Sequence, residues 1–218
     1  MTFASKRFVE RLANERAPGP PATFSFFHVF FVLEILAEKP MGRNMLAAKI
    51  NVGEGAIRTI ISRLKDAGLI VTSKAGCSLT PKGVALWKEF EEVFPKRFEV
   101  HKNDLATSPF NYAFLVKNVG HKIKSGIEQR DEAVVAGARK AIAIVNEGGC
   151  LTIKTVSSDV KRDFPKAIVE ILKHATPNNN DVILIAGADT LFKAKHGSFA
   201  ASWMLLDPGK KMSLSKTV

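Results

Sequence analysis

The sequence predicts an α+β fold made of two units. Three observations predict it: an amphipathic helix over residues 54–67 that follows a tight turn, two short strand patterns directly after that helix, and an alternation of strand and helix patterns from residue 111 onwards. We expect the following boundaries: an N-terminal arm at 1–21, a helical unit at 22–97, a linker at 98–110, a second α+β unit at 111–206 and a basic tail at 207–218.

The charge of the chain favours a polyanionic partner. Its 218 residues include 32 Lys and Arg against 21 Asp and Glu, which gives a net charge of +11. Between Lys39 and Lys82, eight cations stand against two anions, so more than half of the net charge lies in a fifth of the chain. The sequence therefore predicts that the polyanion binds within this segment.

The cysteines and the apolar segments indicate a cytoplasmic protein without a membrane partner. Cys77 and Cys150 are the only cysteines, and no other ligand type stands near them at metal-binding spacing, which argues against a disulfide scaffold or a zinc site. The apolar run 24–33 is interrupted by His28 and is too short to span a bilayer.

The first half begins with helical patterns. Residues 3–16 form a short basic amphipathic pattern that the Pro-rich run 17–21 ends; we interpret it as a loosely packed arm, with a dimer contact or a DNA-backbone contact as the alternatives. Residues 23–39 are apolar on almost all sides, so this helix is expected in the core or at a subunit interface. A short helix over residues 42–50 follows.

The helix over residues 54–67 is the candidate recognition helix. Ile57, Ile60, Ile61 and Leu64 share one stripe and are expected to be buried. The opposite face is small, hydroxylic and cationic: Gly55, Arg58, Thr59, Ser62, Arg63 and Lys65. Such a helix, placed second after a tight turn, can lie in the DNA major groove.

Two strand patterns at 71–74 and 77–80 then predict a hairpin with Lys74 near its tip, and Thr80-Pro81 begins a further helix. The order of helix, helix, recognition helix, hairpin and helix is that of a winged helix-turn-helix. We expect Arg58, Thr59, Ser62 and Arg63 to contact bases, and Arg43, Lys49 and Lys74 to contact phosphates; Ser62 and Lys65 fit phosphates equally well. The alternative is a winged helix that binds protein or RNA-associated partners through a solvated cationic face.

The residues of this segment resemble a known family. Residues 52–65 with Gly68-Leu69-Ile70 are similar to the recognition-helix signature of winged-helix transcription regulators, close to that of the SorC-type sugar-metabolism regulators, and 79–83 (Leu-Thr-Pro-Lys-Gly) is common in winged-helix repressors. The whole chain is similar to a family of uncharacterised archaeal putative transcription regulators. The resemblance covers residues 22–95 and implies DNA binding, but it supplies neither an operator nor an effector.

The second half has the order β-α-β-β-α-β-α, which matches a ferredoxin-like split βαβ unit with an added helix. Two helix starts there have unpaired N–H groups and could hold a small anionic effector. The residues concerned are Lys124, Gly126, Arg130, Gly187, Asp189 and Thr190. The alternative, which we favour, is helix capping by Asp189 or Thr190 and a surface ion pair of Arg130.

The case for an enzyme is weak. The five histidines show no metal-binding spacing, no nucleotide-binding glycine motif is present, and Cys150 opens a strand, where a core position is more common than a nucleophile. We therefore expect no catalysis, no metal and no cofactor. The sequence predicts a homodimeric regulator of transcription that binds double-stranded DNA, with a C-terminal unit that dimerises, senses a small molecule, or both.

Overall fold

The computed structural model of the chain describes residues 3–14 and 23–207. The first half contains α1 (Phe3–Asn14), α2 (Phe26–Glu38), α3 (Arg43–Lys49), α4 (Glu54–Asp66), β1 (Ile70–Ser73), β2 (Gly76–Leu79) and α5 (Pro81–Val93). The predicted order of helices and hairpin is confirmed. Thr80 caps α5 as expected, because its side chain accepts a hydrogen bond from the backbone N–H of Gly83.

The second half is an antiparallel sheet with helices. Its elements are β3 (Lys96–Val100), β4 (Phe110–Val116), a 3₁₀ turn (Gly120–Lys122), α6 (Ile127–Val135), β5 (Lys140–Glu147), β6 (Cys150–Thr152), α7 (Val160–Asp163), α8 (Pro165–His174), β7 (Val182–Ala188) and α9 (Leu191–Met204). The strand order is β3-β4-β7-β5-β6. β4 and β5 both pair antiparallel with β7, so they run parallel to each other as a split βαβ unit. The α+β fold class is confirmed.

The predicted linker begins with a strand. β3 occupies the start of residues 98–110 and pairs antiparallel with β4, with Phe98 opposite Ala113. Only Val100 is fully buried in this edge strand, so its alternating pattern is weak in the sequence. The irregular residues that follow are held by Asn111, whose Nδ2 donates to the carbonyls of Val100, Ala106 and Ser108.

The N-terminal helix is not loosely packed. Val9, Leu12 and Ala13 of α1 are buried, and the helix contacts α2 and α4. The interpretation of residues 3–14 as a loose arm is therefore wrong; the helix buries its apolar side mainly against α2 and makes a smaller contact with the candidate recognition helix. The rest of the predicted arm and the basic tail from residue 208 onwards lie outside the described residues.

One hydrophobic core connects the two halves of the chain. Phe30 of α2 lies 4.7 Å from Phe199 of α9, measured between ring centroids, and Phe199 lies 5.1 Å from Trp203. Phe94, which follows α5, lies 5.5 Å from Phe114 of the sheet. α2 is apolar on nearly all sides, and it packs against α1, α5 and α9. It therefore lies in the core, which is one of the two positions that the sequence predicted. A second cluster, which includes Ile168, Ile171 and Ile183, fills the other face of the sheet.

Two histidines meet where α2 packs on α9. The rings of His28 and His196 lie 6.3 Å apart. Burial, with a smaller contribution from His196, lowers the pKa of His28 to about 4, and burial also lowers the pKa of His196. The backbone N–H of Ser25 donates to Nδ1 of His28, which makes His28 part of the N-terminal cap of α2.

These histidines predict that acid destabilises the protein. In the unfolded chain a histidine binds its proton near pH 6.5. Between pH 6.5 and about 4, the unfolded state therefore holds more protons than the folded state, and stability falls as the pH falls through this window. His28→Gln removes the titrating ring but keeps a side-chain acceptor for the cap. We expect it to reduce the acid-induced loss of stability by about 1–2 kcal/mol. The effect is limited because the ring is partly exposed and keeps some hydration when it is charged. Urea unfolding at pH 7.5 and 4.5 checks this; equal pH dependence in variant and parent contradicts it.

Candidate nucleic-acid interface

The turn between α3 and α4 places α4 across the helical unit. Asn51 adopts a left-handed backbone conformation with φ of 54°, and the backbone N–H of Val52 donates to the carbonyl of Ala47. This compact turn lets Ile57, Ile60 and Leu64 of α4 enter the core, where all three are fully buried. The inward face of the helix is therefore fixed.

The outward face of α4 carries six exposed residues: four follow one another in a row, and the other two are the carboxylates Glu54 and Asp66. Gly55, Arg58, Ser62 and Lys65 follow one another at intervals of three or four residues, and all are exposed. We call these four residues the reading stripe. Thr59 stands at its margin, half buried, and its hydroxyl donates to the carbonyl of Gly55 over 3.0 Å. The stripe is small at the start of the helix and cationic further along.

Arg63 does not belong to the reading stripe. Its Nη1 lies 2.8 Å from the carbonyl oxygens of both Leu12 and Ala13, and its guanidinium stacks over the ring of Phe24. These carbonyls belong to the last turn of α1 and have no partner within that helix. The prediction that Arg63 contacts bases is therefore wrong: the residue caps α1, and the side of α4 that carries it faces α1.

Glu54 organises the two arginines at the start of α4. Its Oε1 accepts hydrogen bonds from Nη2 of Arg58 at 2.5 Å and from Nη2 of Arg43 at 3.3 Å. The bond from Arg58 is the main reason that the pKa of Glu54 lies below its usual value. All three side chains are exposed, so these pairs contribute little to stability. Glu54 is not among the site residues predicted from the sequence, although its position four residues before Arg58 is typical of an ion pair on a helix surface.

Among the residues that the structure describes, none packs against the position of a side chain at Gly55. A Cβ added there meets no atom within 4 Å, whereas one added at Gly76 lies 2.6 Å from the carbonyl carbon of Met41. Glycine within a helix is about 1 kcal/mol less favourable than alanine, so the internal structure gives no reason for Gly55. Close approach of another molecule's backbone gives one.

The hairpin and α3 add further cations. Lys74 is exposed at the turn between β1 and β2, and Lys49 is exposed at the end of α3. Two backbone hydrogen bonds of 2.9 and 3.0 Å join Cys77 of the hairpin to Met41, which lies two residues before the start of α3. The hairpin is therefore fixed to the segment that leads into the helix pair.

The predicted effector residues are not brought together. α6 and α9 lie antiparallel, since Nε2 of Gln129 at the start of α6 lies 3.8 Å from Sδ of Met204 at the end of α9. The two helix starts are consequently at opposite ends of the pair. Lys124, Gly126 and Arg130 lie at one end, and Gly187, Asp189 and Thr190 at the other.

The contacts of these residues are local. Thr190 caps α9 by accepting from the backbone N–H of Lys193, Arg130 pairs with Asp131 at 2.8 Å, and Asp189 pairs with Arg139 at 2.6 Å. The prediction that these six residues form a single anion site is therefore wrong.

Cys150 also differs from its prediction. It begins β6, as expected, but the residue is exposed rather than in the core, and its thiol donates to the carbonyl of Ser158. Within residues 3–14 and 23–207, no three His, Cys, Asp or Glu side chains lie close enough to hold a metal ion. In the same ranges, no helix has the length and apolar content needed to cross a bilayer.

Comparisons with known proteins match each half of the chain to a different family model. Residues 30–94 match the family model described as the CggR N-terminal DNA binding domain, which supports a DNA-binding regulator. Residues 107–205 match a model described as a domain of unknown function (DUF4443). A solved structure titled hypothetical protein PH0730 from Pyrococcus horikoshii OT3 is 25% identical, with a TM-score of 0.68 over 84% of this chain and 92% of that one. No curated protein matches the chain.

The position of Arg63 predicts a stability defect. Arg63→Ala removes two charge-assisted hydrogen bonds to the last turn of α1 and is expected to lower the free energy of unfolding by about 1.5–3 kcal/mol. Arg58→Ala is the matched control, because it removes an exposed arginine of the same helix and should change stability by less than about 0.5 kcal/mol. Urea unfolding of both variants checks this, and equal stability of the two contradicts the capping role.

Proposed function

We propose that the chain is a sequence-specific regulator of transcription that binds duplex DNA through a winged helix-turn-helix. The observation that carries this proposal is the reading stripe: an exposed row of small, hydroxylic and cationic residues on a helix whose opposite side is held in the core by Ile57, Ile60 and Leu64. A helix that is held by its buried face in this way can lie in the major groove, where its first turns contact the base edges. The match to the CggR N-terminal DNA binding domain over residues 30–94 supports the same function.

We assign different roles to the cations of this surface. Arg58, near the start of α4, is placed to donate to guanine O6 and N7, while Thr59 and Ser62 border it. Lys65, Lys49, Arg43 and the hairpin residue Lys74 are assigned to phosphates, which position the protein without specifying sequence. Glu54 keeps Arg43 and Arg58 oriented until DNA takes its place.

The remaining parts of the proposal concern assembly and control. A homodimer would present two α4 helices to successive major grooves, about 34 Å apart, on a pseudo-palindromic site. The C-terminal unit would supply the dimer contact and, in addition, a site for a small molecule. The similarity to the Pyrococcus protein over most of both chains supports a family with archaeal members.

The assigned roles predict different effects of two substitutions. Arg58→Ala is expected to reduce discrimination between the selected site and unrelated duplex by about 1–3 kcal/mol, because a base contact is lost. Lys74→Ala should weaken binding to both duplexes equally and reduce the slope of log K against log salt by about one unit. Both effects are measured by fluorescence anisotropy with a site selected from random duplexes, at salt concentrations from about 50 to about 300 mM.

The control is Lys173→Ala, which removes an exposed cation on α8 and should change neither quantity. Parent protein that binds all duplexes with equal affinity overturns the sequence-specific function and favours an adaptor that uses the same face for other partners. Loss of affinity without loss of discrimination in Arg58→Ala overturns only the base contact.

Gly55 provides a second test with opposite signs for stability and binding. Gly55→Ala is expected to raise the free energy of unfolding by about 0.5–1 kcal/mol, since alanine favours the helix and its methyl group enters open space. The same methyl group should weaken binding to the selected duplex about tenfold, because it separates α4 from the DNA. Thermal unfolding and anisotropy measure the two effects. A stabilised variant with unchanged affinity shows that no DNA approaches Gly55.

A further inference from the structure

We infer that the outer face of α6 is the contact between two copies of this chain, which pair through their α6 helices antiparallel about a twofold axis. The inference rests on the proposed function in that a pseudo-palindromic DNA site needs two copies. It adds the place, the orientation and the residues of the contact. Three observations support it: the exposed apolar residues of α6, the opposite charges of Arg130 and Asp131, and the position of α6 in the fold.

The outer face of α6 is apolar at both ends. Ile127 is 50% exposed, Val134 46% and Val135 85%, although the helix has only nine residues. Its inner face, with Gln129 and Ala133, is buried against α9 and β5. An apolar face on an otherwise charged, amphipathic helix is typical of a surface that another molecule covers.

The charges between these apolar residues suit a second copy of the same helix. In an antiparallel pair, placing Ile127 opposite Val134 of the partner subunit also places Arg130 opposite Asp131 of the partner subunit. The symmetry axis repeats each contact, so one register produces two apolar contacts and two ion pairs. Within one chain Arg130 and Asp131 already pair at 2.8 Å while both are exposed, so the arginine is oriented towards this carboxylate and can bridge to a second one.

The position of α6 leaves the DNA-binding surface open. α6 packs on α9 and β5, and α9 in turn contacts α2 of the helical unit. The reading stripe lies on α4, within that helical unit. Other exposed large apolar residues of the second unit stand on separate elements: Phe110 on β4, Val156 after β6 and Val169 on α8. None of these elements repeats the combination of an apolar pair and a self-complementary charge pair.

The first test changes the most exposed apolar residue. Parent protein at about 50 μM is expected to sediment with twice the 23.8 kDa mass of the chain. Val135→Glu, which places a carboxylate in each of the two apolar contacts, beside Ile127 of the partner subunit, should raise the dimer dissociation constant at least about tenfold. Val169→Glu is the matched control, because Val169 is also an exposed valine, 61% against 85% for Val135, on a helix of the opposite sheet face, and the change should leave the constant unchanged.

The second test uses the symmetry directly. Arg130→Asp sets two aspartates against two on the partner subunit, and Asp131→Arg sets arginines against arginines, so each variant alone should dimerise about fivefold more weakly or worse. The double variant Arg130→Asp with Asp131→Arg restores both pairs and should recover the parent constant within about twofold. A mixture of the two single variants should form heterodimers in preference to homodimers. All substituted side chains are exposed, and circular dichroism confirms that each variant is folded.

The outcomes separate this inference from the proposed function. A monomeric parent, or a dimer that Val135→Glu and the charge reversals do not weaken, overturns the α6 contact even if the protein binds DNA. A parent dimer that these changes weaken and the double variant restores supports the contact, even if no duplex is bound. In that case only the proposed function fails, since the dimer is measured without DNA.

Discussion

The burial of α2 on more than one side is the constraint on which the structure depends. Phe30 contacts Phe90 of the helical unit and Phe199 of α9, so one helix belongs to the core of both halves. An ion pair of 2.5 Å between Glu34 of α2 and Arg97 of β3 lies beside this core. Because apolar packing of this kind supplies most of the free energy of folding, the two halves cannot move independently without exposing it. The candidate recognition helix therefore packs on a core that both halves of the chain share, and not on a separate small domain.

α1 strengthens this connection. Arg63 of α4 caps the end of α1, and Glu10 of α1 accepts a hydrogen bond from the indole N–H of Trp203 on α9 at 2.9 Å. Lys6, which is buried, pairs with Asp207 after the end of α9. α4 and α9 are thus held by a common helix. This arrangement explains why the side of α4 that carries Arg63 is covered while the reading stripe stays exposed.

Local patterns in the sequence were sufficient for the longer helices, the hairpin and most of the inward face of α4, since each depends on periodicity within one element. Ile61, which was expected to be buried with Ile57, Ile60 and Leu64, is only partly buried. They were insufficient for Arg63, because its contacts depend on where α1 packs, fifty residues away in sequence. β3 was missed because an edge strand buries few side chains. The effector site failed for a related reason: helix starts can be located in a sequence, but whether they lie at the same end of a helix pair depends on the direction in which α6 and α9 pack. Residues 15–22 and 208–218, including the basic tail, lie outside the described residues.

The central claim is that the reading stripe enters the major groove and that Arg58 reads a guanine there. Methylation interference on the selected duplex measures this most directly, because a methyl group on guanine N7 occupies the major-groove edge while one on adenine N3 occupies the minor groove. The structure predicts that N7 methylation at one guanine in each half-site abolishes binding by the parent protein, and that it has little further effect on Arg58→Ala. Interference from adenine N3 alone, or an unchanged N7 effect in Arg58→Ala, contradicts the claim.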